Sequence, residues 1–165
     1  MWDAVRITGE NGQVVIEFAD NTAMVLRSIF VELGEMLAED PPPRRLTNER
    51  LFANACDRAA DSAAFRAAHG ARMRAEVREA VGRVLAGWRG DLRLELDRSA
   101  VRDWLITLAH AQTRWLKQPR WRAPSPSTFV AKRKADITVF WLQEIATHVG
   151  SAALSSAGRA VEYRF

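Results

Sequence analysis

Apolar and polar residues alternate along residues 5–18, after which the pattern changes to a helical repeat that holds for most of the chain. The alternating stretch is broken by Asn11-Gly12, the pair favoured in a type I′ turn because both central positions need positive φ. A turn there places Ile7 opposite Ile16 and Val5 opposite Phe18 on one face, with Arg6 opposite Glu17 on the other. One apolar face and one charged face describe a half-buried hairpin. Leu92-Arg93-Leu94-Glu95-Leu96 also alternates strictly. It is expected to join the hairpin as a third strand, since two strands alone are marginal.

The helical pattern divides into about five segments. Asp20 or Asn21 is placed to cap a first helix with Leu26, Ile29, Phe30, Leu33, Met36 and Leu37 on one face. Pro41-Pro42-Pro43 ends it, because proline lacks a backbone donor and restricts the residue before it. Thr47 opens a short second helix through Phe52 to Cys56. Asp61 or Ser62 opens a long third helix with Phe65, His69, Met73, Val77, Val81, Val84 and Trp88 along one side. Gly70 and Gly82 weaken it by about 1 kcal/mol each relative to alanine. Asp97 or Ser99 caps a fourth helix bearing Val101, Trp104, Leu105, Leu108 and Trp115. A Pro- and Ser-rich linker is predicted over residues 119–127. The last helix carries Ile137, Phe140, Trp141, Leu142, Ile145 and Val149. Three consecutive large residues cannot share one face, so this helix is either central to the core or has a second apolar face for a partner. Such a face also suits a homodimer. The fold class predicted is α-rich α+β, one compact domain over residues 1–154 with a C-terminal tail at 155–165.

A chain of 165 residues with 48% hydrophobic positions has the size of one ordinary domain with a sizeable core. No apolar run approaches the about 18 residues of a membrane span, and no basic-then-apolar leader opens the sequence. No membrane association is expected, and a cytoplasmic location is. The single cysteine, Cys56, excludes an intrachain disulfide framework and fits a reducing compartment. The formal charge of +4 is concentrated. Between residues 114 and 134 lie Arg114, Lys117, Arg120, Arg122, Lys132, Arg133 and Lys134 with no acid among them, so the remainder of the chain is net acidic. Trp115 and Trp121 are interleaved with these cations. Arginine with tryptophan suits phosphate backbones and stacked bases. The same composition also describes a solvated linker whose arginine stems cover its indoles. No helix-turn-helix, zinc finger or other DNA-reading module accompanies it.

Candidate chemistry is sparse. His69, His110 and His148 sit on three different predicted helices, and none has a second ligand at the spacing that would put two on one helical face. His69 reads as a partly buried packing residue and the other two as surface groups. There is no Gly-rich phosphate loop, nucleophile-elbow serine or Cys-His signature. Glu144 is an acid on the solvated side of its helix or paired to an arginine; named acid, base and nucleophile roles cannot be filled. No catalytic residue, metal or cofactor is therefore expected. Cys56 is either a packing residue, as free cysteines often are, or a redox-active thiol favoured by Arg50 and Arg58.

Five segments carry a resemblance: Leu26-Arg27-Ser28, Arg50-Leu51-Phe52, Phe65-Arg66, Trp104-Leu105 and, most specific, Trp141-Leu142-Gln143-Glu144. In this order and spacing, behind the opening hairpin, they resemble the AosR-like family of small actinobacterial proteins over roughly residues 5–154. That family is labelled as oxidative-stress transcription regulators. The fourth helix departs from it. Ala109, Ala111-Gln112-Thr113 and Trp115-Leu116-Lys117-Gln118 stand where the family tends to carry an Asn and a Leu-Arg-Leu segment ending in Leu-Gly-Thr-Arg. The resemblance implies a non-enzymatic regulator or adaptor working by protein–protein contact with the transcription machinery. Direct nucleic-acid binding through residues 114–134 is the alternative, and an enzyme of another kind the third.

Overall fold

A computed structural model describes residues 5–10, 13–39, 51–52, 56–112, 126–154 and 161–163; for residues 10, 126–135 and 161–163 it describes the backbone alone. In chain order the elements are β1 (Val5–Glu10), β2 (Gln13–Phe18), α1 (Asp20–Ala38), α2 (Ala59–Gly87), β3 (Arg93–Leu96), α3 (Arg98–Ala111), α4 (Pro126–Leu154) and β4 (Val161–Tyr163).

The hairpin has the register its apolar pattern demands: Val5 faces Phe18, Arg6 faces Glu17 and Ile7 faces Ile16. Val5, Ile7, Ile16 and Phe18 are buried. On the opposite face Glu17 is held from both sides, by Arg6 of β1 at 3.6 Å and Arg93 of β3 at 2.6 Å. The Asn11-Gly12 turn itself lies outside the described residues. β3 pairs with β2 as expected, and a Phe18 N–H bond to the Leu92 carbonyl at 2.7 Å continues the ladder by one residue.

The sheet has four strands rather than three, in the order β3-β2-β1-β4, antiparallel throughout. The segment predicted as a tail supplies β4, with Tyr163 opposite Val5 and Val161 opposite Ile7. Three residues are too few to announce a strand by alternation. What selects them is the row of backbone donors and acceptors that β1 would otherwise leave open.

Four helices lie among the described residues, against about five predicted. The short one at Thr47 to Cys56 falls mostly outside them; Leu51 and Phe52 are described and buried. In α1 the six predicted core residues are all buried. Its N-cap is Ala19, without a side-chain bond, and Asp20 sits inside the first turn. There its carboxylate complements the helix dipole. The helix stops at Ala38, with Glu39 extended; Pro41-Pro42-Pro43 lies outside the described residues. Helix α2 begins at Ala59, ahead of the predicted Asp61 or Ser62, and runs unbroken through Gly70 and Gly82 for 29 residues, roughly 43 Å. Only its second half carries the predicted stripe inward: Val77, Val81, Val84 and Trp88 are buried, whereas Phe65 is 38% exposed. The helix is longer than the core it crosses, so Phe65 packs on the neighbouring His69 ring at 4.8 Å.

Asp97 caps α3, its Oδ1 accepting from Ala100 N–H and the Ser99 hydroxyl, each at 2.8 Å. Val101, Trp104 and Leu108 face inward. Helix α4 begins at Pro126, so Pro126 and Ser127 belong to its first turn rather than to a linker. Proline suits that position because its missing N–H has no helical partner there. The centre of the core is an aromatic cluster. Trp88 and Trp104 lie 5.1 Å apart, with Phe18 at 5.3 Å from Trp88 and Phe30 at 5.5 Å from Trp104. The buried Trp88 indole is satisfied by the Asp91 carbonyl at 2.8 Å.

Candidate docking surfaces

The predicted basic surface is divided by the structure. Arg114, Trp115, Lys117, Arg120, Trp121 and Arg122 lie outside the described residues. Lys132, Arg133 and Lys134 stand on consecutive backbone positions of α4. Further along, Trp141, Leu142, Ile145 and Val149 are buried, while Ile137 and Phe140 are 43% and 55% exposed. Helical spacing puts positions 133, 137, 140 and 144 on one stripe. The last of these, Glu144, is half-buried, with its carboxylate 3.5 Å from His148 Nε2.

Cys56 is exposed, which overturns the packing reading of this thiol. The cation expected to favour its thiolate is engaged elsewhere, since Arg58 Nε bonds the Asp61 carboxylate at 2.8 Å; Arg50 lies outside the described residues. Ser62, fully buried, holds the Cys56 backbone from both sides. Its hydroxyl accepts from Cys56 N–H at 3.0 Å and donates to the Cys56 carbonyl at 2.9 Å. The bend before α2 is therefore built around an exposed Cys56.

His110 is half-buried against Phe52, ring centroids 5.9 Å apart, and so is not the surface group predicted. Burial pushes its pKa down to about 4, because a charged imidazolium loses hydration there. His148 too is only 18% exposed. Among the described residues no group of His, Cys, Asp and Glu could hold a metal ion, and no helix is long and apolar enough to cross a membrane.

Three of the clefts lined by described residues bear on docking. One of about 290 Å³ lies between the end of α2, β3 and the start of α3, with Trp88 and Trp104 in its lining. Its polar groups serve each other: Arg83 forks onto Asp103 at 2.7 and 2.9 Å, and Asp97 is committed to its cap. The hydrogen bonds to Asp103 raise the Arg83 guanidinium above its already high ordinary value. A second cleft of about 480 Å³ runs between α3 and the end of α4, lined by Arg98, Arg102, Leu105, Ile106 and Leu154. The third, about 510 Å³, brings Met24, Arg27, Ser28 and Val31 of α1 to Arg89 and Leu92 of the turn before β3. Arg27-Ser28 belongs to a segment the sequence singled out. Nothing in the sequence joined it to Arg89 and Leu92, which only the packing of that turn on α1 brings near.

Among the described residues the fold is α-rich α+β, with four helices and a four-stranded antiparallel sheet, the last helix packing on β1 and β2. The chain belongs to the family described as "Domain of unknown function (DUF2017)", whose model matches residues 3–112. No curated protein and no solved structure matches it. The matched region spans β1 to α3. Helix α4, β4 and the basic segment lie beyond it.

Proposed function

We propose that this protein is a non-enzymatic regulatory adaptor that acts in the cytoplasm through protein–protein contacts. The transcription machinery is the partner its resemblance to the AosR-like family implies. The observation that carries the reading is the outer stripe of α4. Ile137 and Phe140 are exposed a turn beyond Lys132-Arg133-Lys134, while the inner face of the same helix is seated in the core. Exposed aromatic and aliphatic side chains beside cations make a surface suited to a partner's apolar and acidic residues. Oxidative stress enters through Cys56, whose exposed thiol is open to oxidation by peroxide to a sulfenic acid with release of water. A small thiol then condenses with that acid to a mixed disulfide and a second water. A tagged chain should recover a defined partner from its own cells, and Phe140→Glu should abolish that recovery without lowering the melting temperature. Equal recovery by both forms, or none by the wild type, refutes the contact.

Direct nucleic-acid binding is the second reading, favoured by seven cations without an acid over residues 114–134. Binding of this kind falls steeply with salt because neutralised phosphates release counterions. A mobility shift with duplex and single-stranded DNA at low salt, abolished by Arg120→Glu with Arg122→Glu, would establish it. No shift at micromolar protein removes it.

A further inference from the structure

The groove between α1 and the turn before β3 contains two arginines, Arg27 and Arg89. Arg6, Arg58, Arg83 and Arg93 each reach a carboxylate. Arg27 and Arg89 make no ion pair among the described residues. Arg27 Nε is buried and has no hydrogen-bond acceptor among the described residues, a costly state for a donor. Gly90 lies beside Arg27 in this turn. Its φ of +103° is a conformation other residues rarely adopt, and a Cβ there would sit 3.6 Å from Arg27 Cδ. The turn thus folds over the stem of Arg27 and delivers Arg89 and Leu92 to the same groove. Three apolar side chains line it, Val31 with the exposed Met24 and Leu92, the last two at 69% and 46% exposure. The one acid in the lining, Asp20, leaves the groove net positive.

We propose that this groove docks an acidic segment of a partner protein. A carboxylate of that segment is taken by Arg27 and Arg89, and a neighbouring aliphatic side chain lies against Met24 and Leu92. Guanidinium forks match carboxylates in geometry and charge. Small-molecule sites enclose most of their ligand, whereas here the apolar side chains are largely open to solvent. A nucleic-acid backbone would meet the Asp20 carboxylate and an apolar surface. A peptide carrying one acid beside one aliphatic residue sets a single negative charge against two arginines and covers the apolar surface.

The test uses the full chain as bait for a displayed library of random dodecapeptides, followed by anisotropy with a labelled copy of the selected sequence. The consensus should pair Asp or Glu with Leu, Met or Phe. Arg89→Glu and Met24→Asp should each weaken binding at least about tenfold, as for a charge and an apolar contact at the centre of a small interface. Arg78→Glu, an exposed arginine on α2, should change it less than about twofold, the level of a distant surface charge. Replacing the peptide carboxylate by lysine should restore binding to Arg89→Glu. A library without that consensus, or selected peptides indifferent to Arg89→Glu and Met24→Asp, overturns the proposal. The assay reads the groove alone: its failure leaves the α4 contact standing, and loss of the Phe140-dependent partner leaves groove binding intact.

Discussion

Gly9 of β1 meets the end of α4 so closely that a single methyl group should separate them. A Cβ at Gly9 would lie 2.7 Å from the Ala152 carbonyl oxygen and 3.5 Å from its carbon. Ordinary C···O contact begins near 3.3 Å, so strand and helix would have to part by roughly 0.6 Å. Both groups are backbone, and no side chain can rotate to absorb the overlap. Moving α4 disturbs the seats of Leu142, Ile145 and Val149, all buried at 2% exposure or less. Overpacking of this kind costs about 1–3 kcal/mol, against about 0.4–1 kcal/mol gained from the stiffer unfolded chain. Gly82→Ala is the control. Its Cβ meets nothing within 4 Å in the middle of α2, so it should stabilise by about 0.5–1 kcal/mol through helix propensity. At about 2–4 °C per kcal/mol for a chain of this size, the two variants should melt on opposite sides of the wild type. Urea titration followed by tryptophan fluorescence, alongside a thermal melt by circular dichroism, measures both. Wild-type stability in Gly9→Ala, or a shift of the same sign in both variants, refutes the close packing of α4 on β1.

Trp88→Ala should cost about 3–5 kcal/mol in urea titration, the usual loss for a large buried aromatic; less than about 1 kcal/mol would mean the ring cluster is not the centre of the core. His110 carries a pH dependence whose sign follows from its depressed pKa. The unfolded chain protonates near 6.5 and the folded one near 4, so stability is complete above pH 6.5 and lost as pH falls toward 4. Titrations at pH 7.5, 5.5 and 4.5 should show His110→Gln losing less than the wild type over that window; parallel losses would place the imidazole in water. Cys56 should react with a thiol reagent in the native protein nearly as fast as in the unfolded one, and labelling only upon unfolding would contradict its exposure. Ser62→Ala should destabilise by about 1 kcal/mol, the worth of a hydrogen bond, and a neutral result in the same titration would show that water replaces the hydroxyl.

The sequence by itself determined what depends on neighbours in the chain. Hairpin register follows from the alternation around Asn11-Gly12, because a one-residue slip would turn Ile7 and Ile16 to solvent. The inner face of α1 follows from its period, and the cap of α3 narrows to Asp97 or Ser99 because only short polar side chains reach a free helical N–H. Only the tertiary structure decided what depends on distant neighbours. The same periodicity that placed Val81 in the core also promised Phe65, but α2 extends past the core and leaves Phe65 half in water. Val161–Tyr163 becomes a strand because β1 has an open edge. Arg27 and Arg89 share a groove because the turn at Gly90 packs on α1. Cys56 is exposed at a bend whose backbone is held by Ser62, six residues on. Periodicity reports which face of an element is apolar; only the packed chain sets how much of that face finds a partner.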